Sequence, residues 1–488
     1  MSASAAAWRE PSFAGRVGVA RRDITPPAGI YSRNWGAAEH DTADSVHRPL
    51  TCTVLTARGA SEDAPLVLAA IDATWFRGPE SPDFIGRFVR DALGLSPERF
   101  MLALSHTHSG PSISLAEQDK PGGHLIGPYV ESICAAIVAA AREAMENEEH
   151  AVMTFAIGRC GAACNRDLYD PERDRYVCGF NPGQKADDTC MVGRIVRADG
   201  GEIMATIVNY ACHPTTLGAR NRLLSPDYVG AMRETIEAQT TGASGGRAPC
   251  LFLQGASGEL SPRYQYCADV QAADAHGRAI GHAALGALFG MLPPASQLVL
   301  REVVSSGAPL AMWEPRKAVP DRSLAALHLE VNIPLKPTLR SIEQITAELA
   351  GCQDRAARER LHRESLVIRT IGPGPVARRP VWLWRLGSVL FVGHSDEAYS
   401  QLQTELRAAF PEYAVVVMNV VNGWGGYLCP AGHYDRRVYQ VEQSPYERGC
   451  LETLIASCKQ GLCSLLAGQS SGNPHLNVVG SFTGVDRP

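Results

Sequence analysis

Two histidines one residue apart follow an apolar run in the first quarter of the chain. They are His106 and His108, in the stretch LALSHTHSGPS at 102–112. In an extended segment, side chains two residues apart point to the same side, so both imidazoles are expected to face one cavity. Because imidazole is both a common metal ligand and a common acid–base group, the pair marks a candidate metal or catalytic site.

Three further loops repeat the pattern, in which an apolar strand runs into a polar residue beside a chain breaker. These loops are IVNYACHPTT (207–216), LFLQGASGELSP (251–262) and VLFVGHSDEAY (389–399). They supply His213, Ser261 and Glu397. Sites in α/β sheets gather where strand ends meet loops. Three histidines and one carboxylate are the ligand types that a catalytic zinc ion needs. Ser261 is a rival nucleophile, although its loop lacks the nucleophile-elbow pattern GxSxG.

Strands and helices alternate along the chain, which is typical of an α/β fold. Apolar runs predict strands at 51–57, 65–72, 99–108, 151–159, 248–258, 381–393 and 414–422, and a hairpin at 190–214 with its turn at 199–201. Amphipathic or alanine-rich stretches predict helices at 81–94, 129–147, 228–240 and 268–290, and a charged helical stretch at 341–367. We therefore predict a mixed β-sheet core flanked by helices. Residues 1–488 are expected to form a single domain, and any subdivision would fall at the linker-like segment 372–380.

Charge and composition exclude several classes of protein. The net charge is −5 and basic residues occur in runs no longer than pairs, which excludes nucleic acid as a partner. The N-terminal stretch MSASAAAWREPSFAG lacks the pattern of an export signal, and no stretch approaches the ~18 apolar residues that span a bilayer. We expect a cytoplasmic protein with no integral membrane segment, and we expect its 14 cysteines to be reduced thiols.

Ordered motifs over most of the chain resemble the catalytic domain of the neutral ceramidase family. They are VGVARRDITPP (17–27), SVHRPLTCTVL (45–55), SHTHSGP (105–111), NRD (165–167), NYACHPTTLG (209–218), LSPDYVG (224–230), GASGELSPR (255–263) and NGWGGYLCPAGHYDRRVY (422–439). The last motif keeps the spacing of three tyrosines, Tyr427, Tyr434 and Tyr439. The resemblance implies the α/β fold of that catalytic domain and hydrolysis of an N-acyl amide.

The resemblance also implies one zinc ion per chain, bound by two histidines, a glutamate and a tyrosine. Carried over position by position, these ligands are His106, His213, Glu397 and Tyr427. The family has Pro-Gly-Glu where this chain has Ser395-Asp396-Glu397, so Asp396 or His394 is an alternative ligand in this loop.

Further residues gain roles through the same resemblance. His108 would polarise the scissile carbonyl or carry a proton, Arg166 would hold the polar end of the substrate, and Tyr439 would stabilise the oxyanion. Asp227, Ser261 and His47 would support the ligands from behind. The pocket is expected to be small and polar, with His124, Trp75, Trp424 and Arg166 in its lining.

The chain also departs from the family at its C-terminal end. It ends in SFTGVDRP about 50 residues after Tyr439, so we expect it to lack the family's C-terminal immunoglobulin-like domain. We therefore expect a small-molecule amide as substrate, cleaved by attack of a zinc-activated water, and a homo-oligomer is possible. An ester or lactone hydrolase using the same zinc site is the alternative, and a non-catalytic binding protein with this fold is a second.

Overall fold

Two packed β-sheets form the centre of the protein. The structure is a computed structural model that describes residues 7–59, 64–199, 201–242 and 246–468. The first six residues, Gly200 of the predicted hairpin turn and the C-terminal SFTGVDRP lie outside this description. The chain thus has the α/β class and the helix-flanked mixed sheet that its sequence predicts.

The larger sheet has eight strands. In chain order they are β1 (Ser12–Asp23), β2 (Thr51–Arg58), β3 (Leu66–Ile71), β4 (Phe100–Leu104), β5 (Glu149–Arg159), β6 (Thr189–Arg197), β7 (Ile203–Tyr210) and β8 (Cys250–Gln254). Their order across the sheet is β8-β7-β6-β5-β1-β2-β3-β4. The pairs β7–β8 and β3–β4 are parallel and the other pairs are antiparallel. The edge strands β4 and β8 nevertheless lie close together, because the sheet curls until its edges approach.

The smaller sheet has four strands in sequential order. They are β9 (Leu324–Pro334), β10 (Val376–Leu386), β11 (Val389–His394) and β12 (Ala414–Met418), of which only β11 and β12 pair in parallel. The linker-like segment 372–380 supplies a turn and the first residues of β10. The remaining strands are Ala7–Trp8, Ser45–Val46, Ala163–Asn165, Asp167–Asp170, Arg175–Cys178, Leu223–Leu224, Leu260–Pro262, Ser296–Ser305, Pro309–Lys317, Glu397–Ala398 and Tyr427–Leu428.

Helices cover the outer faces of both sheets. They are α1 (Glu80–Leu93), α2 (Ile126–Glu146), α3 (Tyr228–Glu237), α4 (Val270–Gly290), α5 (Ile342–Gly351), α6 (Arg355–Ile371), α7 (Gln401–Ala409), α8 (Tyr439–Gln443) and α9 (Cys450–Leu466). Helices α1 and α2 pack on one half of the larger sheet, and α3 and α4 pack on the other half. Helices α6, α7 and α9 cover the smaller sheet, while Phe155, Trp384 and Phe391 belong to the core between the two sheets. The result is a helix–sheet–sheet–helix sandwich.

The charged stretch 341–367 is helical, as predicted. It is divided into α5 and α6, because the chain breaks at 352–354 and Asp354 caps α6 by accepting from Ala357 N. One expectation needs correction. Segment Gly123–Glu146 is long and apolar enough to cross a membrane by length and composition, contrary to the prediction that no segment would be. Its residues Ile133, Ile137 and Ala141 are buried in the core cluster against the larger sheet.

Candidate functional site

His106 lies in a strained loop immediately after β4. The strand ends at Leu104, four residues earlier than predicted, so His106 and His108 are not in extended backbone. His106 has φ 64°, in the left-handed region that costs non-glycine residues roughly 1–3 kcal/mol. Its Nδ1 lies 3.1 Å from the carbonyl oxygen of Thr74, which fixes the ring. The Nε2 atom, with no hydrogen-bond partner among the described residues, is left for the site.

His213 follows β7 and is fully buried. Its Nδ1 lies 2.7 Å from the carbonyl oxygen of Ser257 and 3.2 Å from that of Leu260, both in the loop after β8. These carbonyls accept hydrogen bonds from the N–H at Nδ1, which sets the tautomer and leaves Nε2 as the lone-pair nitrogen. The neighbouring parallel strands β7 and β8 therefore supply the ring and its anchor.

Glu397 brings the two rings together. Its Oε2 lies 3.4 Å from His106 Nε2 and 2.9 Å from His213 Nε2, and its Oε1 accepts a hydrogen bond of 2.6 Å from the indole of Trp424. Three donor atoms of metal-binding type therefore converge on one point.

The two alternative ligands of this loop are engaged elsewhere. Asp396 forms a two-pronged ion pair with Arg379 at 2.8 and 2.9 Å. His394 Nε2 lies 2.6 Å from Asn419 Oδ1, and His394 Nδ1 accepts from the amide of Asp396. Of the three side chains, Glu397 is therefore the one that lies at the nitrogens of His106 and His213.

Tyr427 reaches the site through a short parallel ladder. Residues Glu397 and Tyr427 are register partners in the paired segments Glu397–Ala398 and Tyr427–Leu428, so their side chains lie on the same side. The buried Arg166 donates to the Tyr427 hydroxyl at 3.3 Å and to the carbonyl of Gly258 at 2.6 Å. Tyr427 and Arg166 therefore lie beside the carboxylate.

His108 is the third imidazole of the cluster. The ring nitrogens of His106, His108 and His213 include a set that lies within 4.8 Å of one another, a spacing that could hold a metal ion. The ring of His108 packs between Trp35 and Trp75, at centroid distances of 5.0 and 4.8 Å. Neither of its nitrogens has a hydrogen-bond partner among the described residues. Among the described residues, the His108 ring is thus held by packing against other rings, and it lines the open cleft.

The charge states suit metal binding. Burial lowers the pKa of His213 to about 4, and Arg166 acts in the same direction. Burial and the two neighbouring imidazoles hold the pKa of His108 well below its ordinary value. Burial opposes ionisation of Glu397, but His106 and His213 outweigh it and hold the pKa of that carboxyl well below its usual range. Neutral imidazole and ionised carboxylate are the forms that bind Zn²⁺.

A cleft of about 1340 Å³ opens above the cluster. His108, Arg166, Tyr427 and Tyr439 line it. Tyr439 begins α8 and is 43% exposed, and its ring lies 6.0 Å from that of Tyr427. The structure therefore brings all seven predicted ligands and catalytic residues to one place.

The three predicted supporting residues lie further away. Asp227 caps α3 through Tyr228 N and also accepts from the amide of Leu217, so it orders the His213 loop without touching an imidazole. Ser261 Oγ accepts from the side chain of Gln265. His47 Nδ1 lies 3.0 Å from Ser225 Oγ. None of these contacts reaches the ring of His106, His108 or His213.

Sequence reasoning missed the groups that anchor the ligands. The anchoring groups on Thr74, Ser257 and Leu260 are backbone carbonyls, which every residue has, so the residue types at these positions could not reveal them. Trp424 was expected only in the pocket lining, whereas it donates to Glu397. His124, also expected there, is exposed and does not line the cleft.

Comparisons with known proteins agree with the expected fold. No family model and no curated protein matches the sequence. Among solved structures, neutral ceramidase from Pseudomonas aeruginosa has a TM-score of 0.65 at 17% identity, over 93% of this chain and 74% of that chain. A structure described as ceramidase complexed with C2 has a TM-score of 0.67 at 16% identity, over 96% of this chain and 77% of that chain. The likeness confirms that this chain has the fold of the ceramidase structures.

Proposed function

We propose that the protein is a zinc-dependent amidohydrolase that cleaves the carboxamide bond of a linear N-acyl amide. The observation that carries this proposal is the convergence of His106 Nε2 and His213 Nε2 on a single oxygen of Glu397. The ceramidase-like fold supports the choice of an amide as substrate.

The residues of the cluster fit a zinc ion. Both imidazoles are fixed through Nδ1, and their Nε2 atoms lie at the same carboxylate oxygen. Among the described residues, no Lys or Arg lies within ion-pair distance of Glu397. His106, His213, Glu397 and Tyr427 would hold the ion. When bound, zinc would polarise a carbonyl and lower the pKa of a water molecule to about 7.

The remaining site residues would act on the substrate. Neutral His108 can donate a hydrogen bond to a carbonyl oxygen from one ring nitrogen and accept a proton at the other. The Tyr439 hydroxyl can donate to an oxyanion. Arg166 offers guanidinium donors that orient a polar group of the substrate. Trp35 and Trp75 confine the His108 ring and keep it in place.

Metal analysis and a substrate panel test the proposal together. Purified protein should contain about one zinc per chain, and a chelator should remove both the metal and the activity, with activity restored on adding zinc. N-acyl amides, carboxylic esters and lactones should be compared, with His106→Ala as the control. Turnover of esters or lactones without amides would replace the amidase assignment. Protein that binds no zinc and turns over nothing would favour a binding protein.

A further inference from the structure

The cleft above the site carries an excess of positive charge. Its charged lining residues are six arginines and three acids: Arg166, Arg173, Arg175, Arg220, Arg436, Arg437, Asp174, Asp435 and Glu442. The whole chain has a net charge of −5, so this excess runs against the overall balance. Clefts lined by one sign of charge focus the electrostatic potential and attract ligands of the opposite sign.

Ion pairs within the protein do not neutralise this lining. Asp435 is engaged by Arg448, which does not line the cleft. Arg173 and Arg437 have partners at 2.8 and 3.7 Å. The other four cleft arginines have no carboxylate within ion-pair distance among the described residues: Arg166, Arg175, Arg220 and Arg436.

Arg166 carries the strongest part of the argument, because it is buried. The residue is only 4% exposed. Its guanidinium donates to the carbonyl of Gly258 and to the hydroxyl of Tyr427, which are both neutral. Buried arginine is almost always paired with an acid, since an unpaired buried charge is costly. A ligand with a negative group in the cleft would supply the missing partner.

The exposed arginines extend this site towards solvent. Arg175 lies on the second strand of the hairpin that begins directly after Arg166, and Arg220 follows the His213 loop. Arg436 lies in the segment between Tyr427 and Tyr439. Three separate segments of the chain therefore place a cation around the same opening, with the buried Arg166 beneath them.

From this charge pattern we propose that the substrate is an amide that also bears an anionic group, most simply a carboxylate. The carboxylate pairs with Arg166, and the exposed arginines raise its rate of entry. The proposal rests on the proposed function, in which this cleft holds the substrate. Under this proposal, the enzyme prefers anionic amides to neutral amides of similar size.

Matched substrates test the proposal in the zinc-loaded enzyme. An N-acylglycine and an N-acylethanolamine of equal acyl length differ mainly in the carboxylate, and a dicarboxylic acid monoamide places the carboxylate on the acyl side. We expect at least one of the two anionic amides to have a kcat/KM about tenfold or more above that of the neutral amide, and added salt to reduce this preference. Equal kcat/KM for neutral and anionic amides would overturn the proposal and leave the amidase function standing.

Substitutions of exposed arginines sharpen the test. The double variant Arg175→Gln/Arg220→Gln should lower kcat/KM several-fold more for the anionic amide than for the neutral amide. Arg278→Gln, at an exposed arginine on α4 outside the cleft, should change neither. A similar loss for both substrates in the double variant would contradict the charge argument.

Binding separates this proposal from the amidase function. Calorimetry with the same compounds should show tighter binding of an anionic amide than of the neutral amide, with the difference reduced in the double variant. If no amide is turned over but this difference is found, the function fails and the anion site stands. If neither compound class binds preferentially, the anion site fails.

Discussion

At the scale of single residues, backbone carbonyls fix the rings of the two proposed ligand histidines, His106 and His213, and His106 also has a strained backbone. His106 keeps φ 64° because the amide of Ser105 continues the ladder to Ile71 and the ring bonds to Thr74. Surroundings that over-determine a strained residue hold its side chain in one direction before any ligand arrives. The ring of His106 is therefore fixed in direction by its own surroundings.

Substitution of His108 should separate chemistry from metal binding. Because its ring is held by Trp35 and Trp75 and not by Glu397, we expect His108→Ala to keep about one zinc per chain. Its kcat should fall by roughly 10²–10⁴, the contribution of a positioned acid–base group. Elemental analysis and steady-state kinetics measure the two effects. His213→Ala is the matched control and should lose the metal. Loss of zinc from His108→Ala would instead make all three imidazoles ligands.

Trp424 should tune metal affinity from behind Glu397. Its indole donates to Oε1, so Trp424→Phe leaves this oxygen without that donor and frees the carboxylate to rotate. We expect zinc affinity to fall by roughly 10–100-fold, as for other hydrogen-bond partners of metal ligands, with little change in Tm. Competition with a chromophoric chelator measures the affinity. Trp384→Phe, whose indole donates to the carbonyl of Glu98, should bind zinc normally.

At the scale of elements, local sequence accounts for the strands and helices but not for their ends. Apolar runs predicted the positions of most strands of the two central sheets, but not β1 and β9. The single strand predicted at 381–393 is in fact the end of β10, a turn and β11. The predicted end of β4 at His108 was wrong, because the left-handed conformation of His106 depends on contacts from the distant loop at Thr74. The periodicity of apolar residues indicates which residues of a strand or helix are buried. The caps and turns that end these elements depend on contacts with distant residues.

Asn422 joins the two sheets at the site. Its Oδ1 accepts from the amide of Leu102 at 2.8 Å and its Nδ2 donates to the carbonyl of Phe100 at 3.0 Å, so it pairs with the free edge of β4. Asn422 has φ 54°, which asparagine and glycine tolerate. Asn422→Gly should lower the free energy of unfolding by roughly 1–3 kcal/mol through the lost hydrogen bonds alone. Asn422→Ala should lose more, because it adds strain. Equal stability of Asn422→Gly and wild type, by urea unfolding, would contradict this role.

At the scale of the whole molecule, the site lies at the carboxyl ends of three parallel strand pairs. β4 leads to His106 and His108, β7 to His213, β8 to the anchoring carbonyls, and β11 to Glu397. β3 leads to Thr74, and the segment after β12 contains Trp424 and Tyr427. Ligands bind at such ends in open α/β sheets, which is why the strand-end loops could be selected from sequence. The curl of the sheet that brings β4 and β8 together could not be predicted from the sequence, because it depends on pairings between distant segments.

A buried carboxyl joins the larger sheet to the helical layer of the smaller one. Glu259, in the loop after β8, accepts from the amide of Ser400 at the start of α7 at 3.0 Å, and its own carbonyl accepts from the amide of Arg166. Burial raises its pKa from 4.5 to about 7. The folded protein therefore keeps a proton on Glu259 at pH values where the unfolded chain has lost it.

The sign of this shift predicts how stability depends on pH. Because the pKa of Glu259 is higher in the folded protein, its protonation contributes fully to the free energy of unfolding below pH 4.5. This contribution falls by about 1.4 kcal/mol per pH unit as the pH rises from 4.5 towards 7, and it changes no further above pH 7. Glu259→Gln keeps an acceptor for Ser400 but has no proton to lose. Between pH 5 and 7.5 the free energy of unfolding of this variant should therefore gain about 2 kcal/mol relative to wild type. Urea unfolding at both pH values measures the gain, and Glu412→Gln, at an exposed glutamate, should show none. A Glu259→Gln variant that follows the wild-type pH profile would mean that Glu259 is ionised in the folded protein across this range.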